Sequence, residues 1–163
     1  MKQRRTSLTQ FFTQMKTLVL ASNGLPIGQL AADLMIRHCD SKVPFLSDLL
    51  IPMLSNLDGL NTAADLFAGA DFQVLQIRSL VVEGKWAEFA QKLAVWIQNQ
   101  QFNQVVILAS VFGKTSKIEL LSSKELPVKD AWNLIQVDDQ DFDSWPVGAG
   151  FSRFLVRQLY LRG

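Results

Sequence analysis

Residues 18–35 read LVLASNGLPIGQLAADLM: a short apolar run, a turn built on Gly24 and Pro26, and then a pattern with the helical period. Counted from Ile27, the apolar positions Leu30, Ala31, Leu34 and Met35 follow at three, four, seven and eight residues, which predicts one buried helix face, with Asp33 and Arg37 on the other. A strand that turns directly into an amphipathic helix is the opening unit of an α/β domain. Gly24 and Gly28 permit the backbone angles such a turn needs, and Pro26 stiffens the loop between them.

The rest of the chain extends this reading. Strands are expected at Thr17 to Ala21, at Phe45 to Met53 with a break at Asp48, at Phe72 to Val82 and at Val105 to Ser110, from their β-branched and aromatic content. Between the last two, Trp86, Phe89, Ala90, Leu93 and Ile97 recur at helical spacing, and Glu88 stands four residues before Lys92, so a helix with an ion pair is expected over Lys85 to Gln100. Strand, helix and buried strand in succession imply a right-handed crossover onto a parallel pair. Short strands at Ile118 to Leu121 and Trp132 to Val137 follow, then the acidic turn Asp138 to Asp143, and a last helix with Phe151, Phe154, Leu155 and Leu159 on one face and Arg153 and Arg157 on the other.

The chain has 163 residues, of which 48% are apolar, enough for one domain with a substantial core. Residues 1–16 read as a basic N-terminal extension and residues 17–163 as a single α/β domain. The net charge of +1 and the scattered basic residues advertise no face to nucleic acid. Cys39 is the single cysteine, so a disulfide framework is excluded and a reducing compartment is expected. No apolar stretch approaches the ~20 residues a membrane span requires, and the first residues are too polar for a secretory signal.

No motif carries a complete chemistry. Gly113-Lys114-Thr115 resembles the end of a phosphate loop, but Leu108 occupies the position of the first glycine that aims the amides at the phosphates. Gly24 with Gly28, and Gly148 with Gly150, are too sparse for a dinucleotide fingerprint. Asp139, Asp141 and Asp143 have the spacing of the first calcium ligands, yet Ser144 replaces the turning glycine and Gly150 the closing glutamate. His38, the only histidine, stands beside Cys39; neighbouring helical residues point about 100° apart, so the two cannot pair as nucleophile and base, and His38 is expected at the edge of the core on the helix's apolar face. Arg78, a charge inside an apolar strand, is either a paired structural residue or a partner contact. Catalytic, cofactor-binding and metal-binding residues are therefore expected to be absent.

The order of several motifs resembles the proteasome assembly chaperone 2 family. Gly28-Gln29-Leu30-Ala31 with Asp33-Leu34, then Ile51-Pro52-Met53 with Asn56, resemble its opening; Leu75-Gln76-Ile77-Arg78-Ser79 resembles its central strand. The helix through Leu93 and Trp96 precedes Val105-Val106-Ile107-Leu108-Ala109-Ser110, and Asp138-Asp139 with Phe142 leads to Pro146, Gly148 and Gly150 before a helix, as in that family. The resemblance covers about residues 17–160. It implies a three-layer α/β/α, phosphorylase/hydrolase-like domain with a mixed, mostly parallel sheet, used as a chaperone and not as an enzyme.

The same resemblance implies a heterodimer with proteasome assembly chaperone 1 that binds proteasome α subunits and promotes formation of the α-ring of the core particle, with no nucleic acid or membrane partner, in the cytoplasm and nucleus. A phosphorylase- or hydrolase-like enzyme and an inactive truncated product are the alternatives, since a fold alone does not fix function. The start of the chain departs from the family's pattern, and the family's C-terminal part is expected to be lacking. Some relatives end in a hydrophobic residue, tyrosine and any residue; here Leu159-Tyr160-Leu161 has that order but is followed by Arg162 and Gly163, so packing is its expected role. Aromatic and arginine side chains dominate interface hot spots. Arg78, Trp132 and Trp145 are accordingly the expected partner-binding residues, while Trp86 and Trp96 are expected in the core.

Overall fold

The first strand, β1 (Thr17–Ala21), is apolar throughout because it runs in the middle of a sheet and is covered on both faces. The structure, a computed structural model, describes residues 17–21, 26–52, 62–109, 118–122, 132–136 and 151–162. After β1 come α1 (Pro26–Ile36), β2 (Ser41–Pro44), β3 (Ala64–Ala68), β4 (Phe72–Ile77), α2 (Trp86–Asn99), β5 (Gln104–Leu108), β6 (Ile118–Ser122), β7 (Trp132–Gln136) and α3 (Ser152–Tyr160).

Five strands form one sheet in the order β2-β3-β4-β1-β5. β1 pairs in parallel with β4, Val19 opposite Val74, and with β5, Val19 opposite Val106. β3 runs antiparallel to both β2 and β4. The main sheet is thus mixed in equal parts, and the crossover through α2 carries the chain from β4 past β1 to β5, placing two parallel strands on either side of the first. β6 and β7 form a separate parallel pair, Leu120 opposite Leu134.

Successive residues of a strand point to opposite faces, and β1 shows what lies on each. Leu18 and Leu20 join a core with Leu75, Ile77, Phe89, Leu93, Phe151 and Leu155, supplied by α2 and α3. Val19 and Ala21 join a second core with Phe67, Val74 and Ala32, the last from α1. Helices therefore cover both faces of the sheet.

Three expectations are corrected. The run Phe45 to Met53 is not a strand over its described part: β2 lies just before it, and the run turns at 48–49 and keeps only the bridge of Leu50 to Val81. Leu49 and Leu50 are buried and Phe45 meets the Trp96 ring edge to face at 5.1 Å, while Leu46 and Ile51 are exposed. β4 stops at Ile77, because the amides of Arg78 and Ser79 both donate to the Ala63 carbonyl and turn the chain away. α1, finally, is rotated from its expected orientation.

That rotation has a steric cause. A Cβ on Gly28 would stand 2.9 Å from the Leu108 carbonyl oxygen, so the helix backbone lies directly against β5. Gly28 and Ala32, one turn apart, are buried, and Met35 and Ile36 continue that stripe, while Leu30 and Leu34 are 63% and 54% exposed. Gly28→Ala should destabilise the protein by about 1–3 kcal/mol despite alanine's better helix propensity, because a backbone carbonyl cannot step aside. Urea unfolding of the variant measures this. His38 follows the end of α1 in a turn and is exposed, not at the core edge, for the same reason.

α2 matches its expected span closely. Phe89, Ala90, Leu93, Ala94 and Ile97 face the sheet, and Glu88 pairs with Lys92 at 3.2 Å and with Lys85 at 2.9 Å. Hydrogen bonding to Lys85, then to Lys92, holds the Glu88 carboxyl below its usual range; this support is present above the ordinary carboxylate pKa and is lost as pH falls through the depressed one. The helix ends where Gln101 takes a φ of 56°, a left-handed position that glycine usually fills. Gln101→Gly should therefore raise stability by about 1 kcal/mol, read as a higher Tm.

Candidate functional site: a buried polar relay and an exposed partner face

The sequence of β3, ADLFA, places a carboxylate near the start of an interior strand: Asp65 is 0% exposed. Such a charge is tolerable only when paired and hydrogen bonded. Arg78 Nη1 stands 2.5 Å and Lys42 Nζ 3.3 Å from Asp65 Oδ2, while the Thr62 hydroxyl donates to Oδ1 at 2.9 Å. Both cations also lie 5.7 Å from the centre of the Phe67 ring, which shields the pairings on one side.

The relay continues across the sheet. Arg78 donates through Nη2 to Gln76 Oε1, and Gln76 Nε2 donates to Gln29 Oε1 at 2.8 Å and Asp33 Oδ1 at 2.7 Å. Gln29 Nε2 donates in turn to the Ile77 carbonyl at 2.7 Å. Two cations, two carboxylates and two amides thus link edge strand β2 through β3 and β4 to the first turns of α1. Each group is engaged by another member of the chain, so the arrangement fixes α1 on the sheet and offers no poised nucleophile or base. Among the described residues there is no group of three or more potential metal ligands.

The expected partner residues fall in different places. Arg78 belongs to this relay, where Asp65 fixes it as a paired residue of the sheet's end. Trp132 opens β7, of which the backbone is described, and Trp145 lies outside the described residues. The Gly113-Lys114-Thr115 fragment, the aspartates 139, 141 and 143, and Gly24, Gly148 and Gly150 also lie outside them. Cys39 is half-buried, and burial, then the Asp40 charge, pushes its thiol pKa up, away from reactivity.

Side chains open to a partner are found elsewhere. Leu30 and Leu34 stand outward on α1, beside Asp33. Trp86, expected in the core, is 45% exposed at the start of α2, where its ring meets Phe154 edge to face; Trp96 is half-buried between Phe45 and Phe102. A groove of about 530 Å³ runs between residues 43–48 and α2, floored by Leu66, Phe89 and Leu93. Leu159 packs on the core, whereas Tyr160 and Leu161 are 36% and 62% exposed. A signal for the relay existed in the sequence as polar residues at alternate positions in apolar strands, Asp65 in β3 and Gln76 in β4.

Six curated proteins similar to the chain at 30–36% identity are all proteasome assembly chaperone 2. The chain is similar in sequence to proteasome assembly chaperone 2. The Xenopus laevis protein of that name is 36% identical over 115 residues, covering 62% of this chain and 44% of its own; the Xenopus tropicalis protein is 36% identical over 99 residues, covering 52% and 37%. The chain thus spans less than half the length of these proteasome assembly chaperone 2 relatives. No family model matches the chain.

A solved structure of a protein of unknown function from Thermoplasma acidophilum shares the fold, with a TM-score of 0.64 at 13% identity, covering 93% of this chain and 64% of that one. The proteasome assembly chaperone 2 relatives are named as chaperones and not as enzymes, which is how the sequence is read. Among the described residues no helix is long and apolar enough to cross a membrane.

Proposed function

We propose that the chain acts as a proteasome assembly chaperone: it heterodimerises with proteasome assembly chaperone 1, binds α subunits and promotes α-ring formation of the core particle, in the cytoplasm and nucleus. The observation that carries this reading is the shared name of the six curated relatives at 30–36% identity. The fold we assign to it is the three-layer α/β/α, phosphorylase/hydrolase-like kind, supported by helices on both faces of the mixed sheet.

The physical features agree with a binding role. The relay engages its charges internally, while Leu30, Leu34 and Trp86 remain exposed, the reverse of what a hydrolytic site would show. Purification of the tagged chain from native lysate, followed by mass spectrometry, tests the reading. Proteasome assembly chaperone 1 and α subunits should be recovered, with few mature particles; recovery of neither contradicts it.

A further inference from the structure

Helix α3 and the turn after it, SRFLVRQLYLR, carry three arginines and no carboxylate. The helix is anchored from beneath. Leu155 and Ser152 are buried, Phe151 packs on Phe89 at 5.3 Å, and Gln98 of α2 donates to the Arg162 carbonyl at 3.4 Å, so the two helices run side by side in the same direction. With its apolar stripe committed to the core, the face that remains outward bears Arg153, Arg157 and Tyr160, each about a turn from the next.

This face is unusual in its charge. No ion pair to Arg153, Arg157 or Arg162 exists among the described residues, although Glu88 on the neighbouring helix is fully engaged by Lys85 and Lys92. Arg153 lies over the Phe154 ring at 5.1 Å, and Phe154 in turn meets the half-exposed Trp86. Like charges one turn apart disfavour a helix by a few tenths of a kcal/mol, and no carboxylate among the described residues pairs with them. Arginine, tyrosine and tryptophan around a fixed helix are the side chains that anchor protein interfaces.

We propose that the outer face of α3, with Arg153 and Arg157 as charged anchors and Trp86 and Tyr160 beside them, docks an acidic surface of a protein partner. The inference deepens the chaperone reading by giving the partner a charge and the chain a surface, and it rests on that reading for the partner's being a protein. Charge complementarity selects the occupant. A membrane is disfavoured because the apolar stripe of α3 packs against α2 and the sheet, leaving no continuous apolar face on the helix to enter the lipid. A nucleic acid is disfavoured because three arginines on one helix in a chain of net charge +1 make too small a field to track a phosphate backbone.

The test is a titration of the isotope-labelled full chain, followed by NMR, with a glutamate-rich peptide, with polyuridylate and with phosphatidylserine vesicles. The peptide should shift the signals of α3 and the Trp86 indole. R153E/R157E should weaken peptide binding by about tenfold or more with little change in Tm, since Arg157 is exposed and Arg153 half-buried with no ion pair to either among the described residues, whereas R37E, an exposed charge in the turn after α1, should leave it unaltered. Peptide shifts centred elsewhere, equal loss in R37E, or tighter binding of polyuridylate or vesicles would overturn the proposal. Pull-down of α subunits by wild type and R153E/R157E separates the two readings: a peptide response without α-subunit capture removes the chaperone reading and leaves the face, and capture unaffected by the double variant removes the face and leaves the chaperone reading.

Discussion

Asp65→Ala is expected to destabilise the protein by about 3–5 kcal/mol, a large part of the ~5–15 kcal/mol that holds a domain of this kind together. The carboxylate is wholly buried and is the partner of Arg78 and Lys42. Its removal takes away the carboxylate that both cations share beside the Phe67 ring. Arg78→Ala should cost less, because Lys42 still stands 3.3 Å from the carboxylate. The double variant should fall short of the sum of the singles, since the two side chains share one ion pair that either change already removes. Urea unfolding of the three variants gives all the terms; an Asp65→Ala within 1 kcal/mol of wild type would show that water and not the pairing satisfies the site.

Phe89→Ala should have an effect of similar size, about 3–5 kcal/mol, by the cavity it opens. Phe89 is fully buried and is the side chain through which α2, α3 and the sheet meet: it shares a core with Leu18, Leu20 and Leu155 and packs edge to face on Phe151. The aromatic pair adds about 0.5–1.5 kcal/mol to the simple loss of area. Trp86→Ala, by contrast, removes a larger but half-exposed ring and should alter stability far less. The consequence for function follows from position. Loosening the Phe89 contact frees α3 from its support, so Phe89→Ala should also weaken acidic-peptide binding in proportion to the fraction of chains in which α3 is undocked, whereas Trp86→Ala should weaken binding at unchanged stability.

The elements that the sequence made legible are those whose burial is simple. β1 is apolar because both faces are covered, and α2 is amphipathic because one face is; both were readable from period alone. α3 was readable for the same reason, down to the outward placement of Arg153 and Arg157. β3 was missed because its second residue is a carboxylate, and only the tertiary partners Arg78 and Lys42, 13 and 23 residues away in the chain, make that residue tolerable in a sheet. β2 was missed because an exposed edge strand, SKVP, has no apolar pattern to show.

α1 taught the opposite lesson. Its most hydrophobic residues, Leu30 and Leu34, face out, and the contact with the sheet is made by Gly28 and Ala32, whose small size lets the helix approach. Hydrophobicity ranks side chains by their gain on burial, but close approach of two backbones selects for the absence of a side chain, and a count of apolar positions cannot see it. The signal was the Gly28-x-x-x-Ala32 spacing. Arg78 could be read either as a paired residue or as a partner contact because its anion lies on a strand that period did not reveal, and Trp86 looked like core because it shares the spacing of Phe89 and Leu93 at the first turn of the helix, where it is 45% exposed.

The central claim is that this chain promotes assembly of the proteasome α-ring. Purified α subunits mixed with proteasome assembly chaperone 1, with this chain, with both or with neither, and read by native mass spectrometry for seven-membered rings, test it directly. Rings should form faster and in higher yield with the pair than with either protein alone. A ring yield that does not change when this chain is added would contradict the account.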